Sequence, residues 1–85
     1  MQHLPTMQYL PAIHRLDAFR LLEDGGKHTL RAWKKNGTEI FGEDVKCVGR
    51  HIRGGVRRYL FTRSGALRAI RDCLVYEVDG MEVYW

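Results

Sequence analysis

Residues 49–72, GRHIRGGVRRYLFTRSGALRAIRD, can be read as a basic tail or as three short strands joined by glycine turns. Two features favour strands. Gly54-Gly55 and Ser64-Gly65 supply the positive φ angles that tight hairpin turns require, and the segments between them are rich in β-branched and aromatic residues. Three further dipeptides, Gly25-Gly26, Asn36-Gly37 and Asp79-Gly80, extend the same punctuation over the rest of the chain. Strands are expected near 17–24, 27–35, 38–42, 45–53, 56–63, 66–78 and 81–85, forming an all-β antiparallel meander. A flat open sheet of this size would leave one apolar face wet, so the meander should curl into a small SH3-like or related barrel.

A chain of 85 residues is one domain with a modest core. Residues 1–15 read as an N-terminal arm carrying enough apolar surface to pack on a domain spanning 16–85. The arm lacks a cationic start followed by an apolar run, and Pro5 and Pro11 interrupt it, so no signal peptide is expected. No stretch is apolar enough to cross a membrane as a helix, and the cytoplasm is the default compartment. Two segments also admit a helix: SGALRAIRDCLV, behind a Ser64 cap, and LDAFRLLED, with Leu16, Phe19 and Leu22 at helical spacing. Arg68 in the first turn opposes the first, because a helix N-terminus disfavours cations. The second competes with a hairpin register that makes good pairs.

In that register a two-residue turn at Gly25-Gly26 sets Asp24 against Lys27, Glu23 against His28, Leu21 against Leu30 and Phe19 against Ala32. A similar turn at Asn36-Gly37 sets Lys34 against Glu39 and Ala32 against Phe41. Phe19, Leu21, Leu30, Ala32 and Phe41 then share one core face, and a slip of one residue would scatter them. The last hairpin, around Asp79-Gly80, sets Tyr76 against Val83 and Glu77 against Glu82.

Charge is unevenly spread. The net charge is +4, yet Val45 to Arg71 holds eight basic residues, seven of them arginine, and no acid. The same two-residue turns give the cross-strand rows Val48/Phe61/Arg68, Arg50/Tyr59/Ile70, His51/Arg58/Arg71 and Ile52/Arg57/Asp72. Asp72 is thus an expected partner of Arg57. The row His51, Arg58 and Arg71, with Arg53 nearby, sets like charges opposite one another, which destabilises a sheet unless an anion intervenes. Either Glu77 and Glu82 neutralise it, or the anion comes from another molecule. Arginine suits the second case, because its planar fork grips oxyanions bidentately and stacks on rings.

The candidate anion- or nucleic-acid-binding residues are therefore Arg50, His51, Arg53, Arg57, Arg58, Tyr59, Arg63 and Arg71. Tyr59 and Phe61, interleaved with arginines, have the composition of a surface that stacks bases along a basic groove. Burial in the core is the commoner fate of such aromatics. The alternative partner is an acidic protein surface, and a structural subunit self-associating into a homo-oligomer through its strand edges is the rival function.

Other chemistries find less support. Cys47 and Cys73 lack CxxC spacing and fall on strands separated by a third, so neither a metal nor a disulfide is expected, and both read as small buried thiols. Ser64 has no surrounding triad pattern, Glu43-Asp44 reads as a solvated loop, and no glycine cluster precedes GK[ST]. A non-catalytic module without a cofactor is expected. The C-terminal half, CVGRHIRGGVRRYLFTRSGALRAIRDCLVYEVDGMEVYW, resembles small phage- or mobile-element-associated proteins of Bacteroidetes, through its Ser-Gly turn, the strand RAIRDCLVYEV and the closing DGMEVYW. That resemblance implies β structure for RAIRDCLVYEV and assigns no activity.

Overall fold

The computed structural model describes residues 11–51 and 54–85, and the expected arm up to residue 10 lies outside them. Among the described residues seven strands form one sheet: β1 (Ala12–His14), β2 (Lys27–Trp33), β3 (Glu39–His51), β4 (Val56–Phe61), β5 (Ala66–Arg71), β6 (Val75–Val78) and β7 (Met81–Tyr84). Their order across the sheet is β1-β7-β6-β2-β3-β4-β5. The class is all-β as expected, and β2 to β5 run as an antiparallel meander. Among the described residues the sheet does not close by hydrogen bonding: β1 and β5 are its two edges.

The expected first strand, 17–24, is instead a helix, α1 (Arg15–Leu22). His14 caps it by accepting a bond from the Leu16 N–H at 3.2 Å, and Asp17 lies in the first turn and Arg20 in the last, where each complements the helix dipole. Ala18, Phe19 and Leu22 are buried along one face. Gly25, at φ 87°, therefore lies just beyond a helix end and does not turn a hairpin. Ala12–His14, within the expected arm, pairs in parallel with β7, and the chain enters α1 directly.

Three turns set the register. At Asn36-Gly37 the Lys34 N–H donates to Thr38 O at 2.7 Å and the Gly37 N–H to Lys34 O at 3.0 Å, with Gly37 at φ 86°. This is a type I turn followed by a left-handed glycine, one residue longer than expected. Ile40 consequently faces Ala32, and Phe41 moves to the outer surface, where it is exposed beneath the Arg31 guanidinium at 4.3 Å. At the other two turns the register slips by two residues, so that His51 pairs with Val56 and Phe61 with Ala66; in β3 a bulge at Val48 adds one more, so that Val45 takes the expected place of Val48 opposite Phe61 and Val48 is exposed. A slip of two preserves which face each side chain occupies. Tyr59, Phe61 and Ile70 accordingly share the buried face, as the sequence suggested.

Two expected boundaries also move. The segments 38–42 and 45–53 are one strand, β3, with Glu43-Asp44 forming a bulge opposite Thr29 in place of a loop. Asp44 adopts φ 57° there, and its carbonyl accepts the Thr62 hydroxyl at 2.6 Å. The expected strand 66–78 is broken by a 3-10 turn at Asp72–Leu74, after which β6 crosses to pair with β2. Around Asp79-Gly80 the register is as expected, Glu77 opposite Glu82, with both turn residues at positive φ.

The core is formed by Phe19 and Leu22 of α1 with Leu30, Ala32, Val45, Tyr59, Phe61, Ile70, Val75, Val78 and Val83. Fully burying side chains of this size stabilises by about 1.5–3 kcal/mol each before entropy is subtracted. Among the described residues no helix is long and apolar enough to cross a membrane.

Candidate anion-binding cleft

The arginines that the sequence grouped together are dispersed by the actual register. Arg58 faces Gly49 and Ala69, and Arg71 faces Val56, so the row His51, Arg58 and Arg71 does not exist. The longer turns give Arg58 neutral neighbours and remove the repulsion. His51 pairs through its backbone with Val56, and Arg53 lies outside the described residues. Glu77 and Glu82 form no salt bridge with a described residue of the basic stretch; Glu77 binds Arg31 at 3.0 Å, and Arg31 also holds Glu39 at 2.6 Å.

Arg50 and Arg57 come to lie directly opposite each other, and acids from elsewhere in the fold offset the conflict. Glu23, just after α1, reaches Arg57 at 3.3 Å and Arg50 at 3.5 Å, while Asp72 binds Arg57 from the other side. The Arg57 guanidinium also covers the Phe19 ring at 4.4 Å. Burial works against its charge, yet the Asp72 and Glu23 carboxylates outweigh burial and hold its pKa above the ordinary value. The expected Arg57–Asp72 pair is thus present, as an internal clamp tying α1 to the sheet. Arg63 is likewise engaged, by Asp44 at 2.9 Å and Glu43 at 3.4 Å, and anchors the bulge.

Tyr59 is no stacking platform: it is fully buried, and burial drives its hydroxyl pKa far above the usual phenol value. Its hydroxyl has no hydrogen-bond partner among the described residues. Phe61 is buried as well. Cys47 is half-buried, which pushes its thiol pKa up, whereas Cys73 is exposed, contrary to the expectation of two buried thiols. Among the described residues no three His, Cys, Asp or Glu side chains gather as a metal site would need.

Four cations outside these pairs lie together elsewhere. Between the β2–β3 turn and edge strand β5 lies a cleft of about 390 Å³, lined by Trp33, Lys34, Lys35, Ile40, Val56, Arg68, Ala69, Ile70, Arg71 and Leu74. Among the described residues its lining holds two lysines, two arginines and no carboxylate. None of these four cations forms a salt bridge with a described residue. Glu39, which lines the adjoining concavity with Lys34 and Arg68, is held by Arg31. Arg68 leans over the Phe61 ring at 5.8 Å, and Trp33 stacks on Tyr76 with ring centroids 4.9 Å apart.

Among the described residues expected to bind an anion, Arg71 alone lines this cleft. Lys34 and Lys35 were missed because they lie outside the basic stretch. A local signal was present in WKKNG, which places a dibasic pair and an indole at a hairpin tip. Fold and site together define a small all-β domain with a cationic cleft beside the edge strand β5 of its sheet. Comparison of the chain with protein-family models, curated proteins and solved structures returns no match.

Proposed function

We propose that the protein is a non-catalytic binding module whose anionic partner is nucleic acid, held in the cleft between the β2–β3 turn and β5. One observation carries this reading: Lys34, Lys35, Arg68 and Arg71 line one concavity without an acid, while the clamp around Arg57 and the bulge around Arg63 absorb carboxylates from the same chain. Charges neutralised internally contribute little to a partner, whereas unpaired ones set in a concave wall focus a positive potential on it. Phosphate contacts of this kind give salt-dependent affinity, because each neutralised phosphate releases condensed counterions.

The test is a fluorescence-anisotropy titration of labelled oligonucleotides at several salt concentrations. Four phosphate contacts give a slope of log affinity against log salt of about −3 on single strands or somewhat steeper on duplex. Replacing both lysines, K34E/K35E, should flatten that slope and weaken binding. Absence of binding at low salt would overturn the reading.

A structural subunit that self-associates is the second reading, favoured by the open edge of β5, where Leu67 is exposed beside unpaired backbone. Sedimentation equilibrium separates the two: a defined oligomer supports self-association, and a monomer at high concentration opposes it.

A further inference from the structure

Resting on the nucleic-acid reading, we infer that the ligand is single-stranded and that one unpaired base enters the cleft and stacks on Trp33. The indole is 43% exposed while lining the cleft, although tryptophan ordinarily buries most of its surface. Tyr76 lies nearly parallel to it, at an interplanar angle of 20°, and covers one of its faces. The ring is therefore held in place before any ligand arrives, and a base on its free side extends an existing stack. Preorganisation of this kind reduces the ordering cost of binding.

The surroundings match the needs of a strand. Lys34 and Lys35 stand on one lip of the cleft, on a turn fixed by the Lys34–Thr38 and Gly37–Lys34 backbone bonds. Arg68 and Arg71 stand on the other, on β5. A base inserted between the lips leaves its flanking phosphates beside cations on either side. A cleft of about 390 Å³ has the size of a small-molecule site. It admits a splayed nucleotide, whereas the bases of an intact duplex are already stacked and paired. Aromatic stacking within a basic groove is how proteins hold single strands without reading their sequence. Tyr59 and Phe61, the aromatics first in view from the sequence, are buried and leave this role to Trp33.

The experiment uses the W85F variant, in which Trp33 is the only tryptophan, and follows its fluorescence during titration with oligo(dT), with a duplex of equal length and with polyglutamate. The expected result is quenching by oligo(dT), tighter binding of oligo(dT) than of duplex, and a loss of roughly tenfold or more in affinity for W33L. Circular dichroism of W33L checks that the sheet is retained. Because Trp33 is exposed at a strand end, a second variant, Y76L, should weaken oligo(dT) binding in the same direction by releasing the indole. Equal binding of single strand and duplex, with no quenching and an unchanged W33L affinity, overturns the stacked-base inference and leaves the nucleic-acid reading intact. No binding of either nucleic acid at low salt overturns both, as does binding of polyglutamate alone, which would identify an acidic protein partner.

Discussion

Gly42 lies in β3 opposite Leu30, and a methyl group there would strike the core. Its Cβ would fall 2.4 Å from one Phe61 ring carbon, 2.6 Å from the next, and 2.6 Å from a Val45 methyl. Carbon atoms pack best at about 3.5–4.0 Å, so the neighbours must retreat by about 1 Å. They have little room to do so. Val45 is completely buried, Phe61 nearly so, and the two are cross-strand partners in the β3–β4 pairing. Overpacking of a dense core costs about 1–3 kcal/mol, and a clash with two walls belongs at the upper end. The reduced freedom of the unfolded chain returns about 0.4–1 kcal/mol. Gly42→Ala should therefore destabilise by about 2–3 kcal/mol, lowering Tm by roughly 10–20 °C in a domain of this size. Thermal and urea unfolding followed by circular dichroism measure it. Phe61→Ala removes the ring that is struck, so in that background Gly42→Ala should cost much less. A wild-type Tm for Gly42→Ala, or an equal cost in both backgrounds, would refute the packing described here.

Other consequences concern buried polar groups. His28 is 8% exposed, and its two ring nitrogens face Asp79 at 2.6 Å and Asp24 at 2.9 Å, an arrangement that only the imidazolium satisfies from both sides. Burial opposes its charge, but the carboxylates prevail and raise its pKa above 6.5, so the stability it contributes is complete below that pH and lost as pH rises through the folded value. Asp24 is shifted down, chiefly by its bond to His28, so its contribution is present above about pH 3.8 and lost as pH falls through the lower folded value. Urea unfolding should accordingly show a decline in stability on the alkaline side that disappears in His28→Gln; an unchanged decline would point to another group. Tyr59→Phe should leave Tm unchanged or raise it, because the hydroxyl it removes is buried without a described partner and such groups cost about 1–3 kcal/mol. A clear loss of stability would reveal a partner for that hydroxyl. Arg57→Met should destabilise by about 3 kcal/mol by stranding Asp72, which is 17% exposed, and R57M/D72L should recover much of that in denaturant titrations. No recovery would mean that the cost arises from the contact with Phe19 instead.

Much of the fold was legible because short-range rules govern it. Turn dipeptides marked every hairpin, and alternation placed Tyr59, Phe61 and Ile70 on one buried face. That assignment survived an error in both adjoining turns, because each turn was mistaken by two residues, whereas the further one-residue shift at the Val48 bulge left Val48 exposed. The error at Asn36-Gly37 was of one residue, and it exchanged Phe41 for Ile40 on the inner face. The helix was missed because LDAFRLLED satisfies helical and hairpin patterns alike. His14 as a cap and the parallel pairing of Ala12–His14 with β7 settle the matter, and the latter links residues about 70 positions apart.

The candidate site was less legible for a related reason. Counting arginines along Val45 to Arg71 locates positive charge but not its neutralisation, which depends on Glu23 and Asp72 reaching Arg57, and on a bulge turning Asp44 toward Arg63. Four further cations are grouped by the curl of the sheet, which brings Lys34 and Lys35 across from Arg68 and Arg71. Local chemistry was sufficient to mark the hairpin turns and to place Tyr59, Phe61 and Ile70 on one side of the sheet, since these depend on neighbours a few positions away. Which charges pair and which remain free depends on the three-dimensional path of the chain, because Coulomb attraction acts on separation in space and is indifferent to separation in sequence.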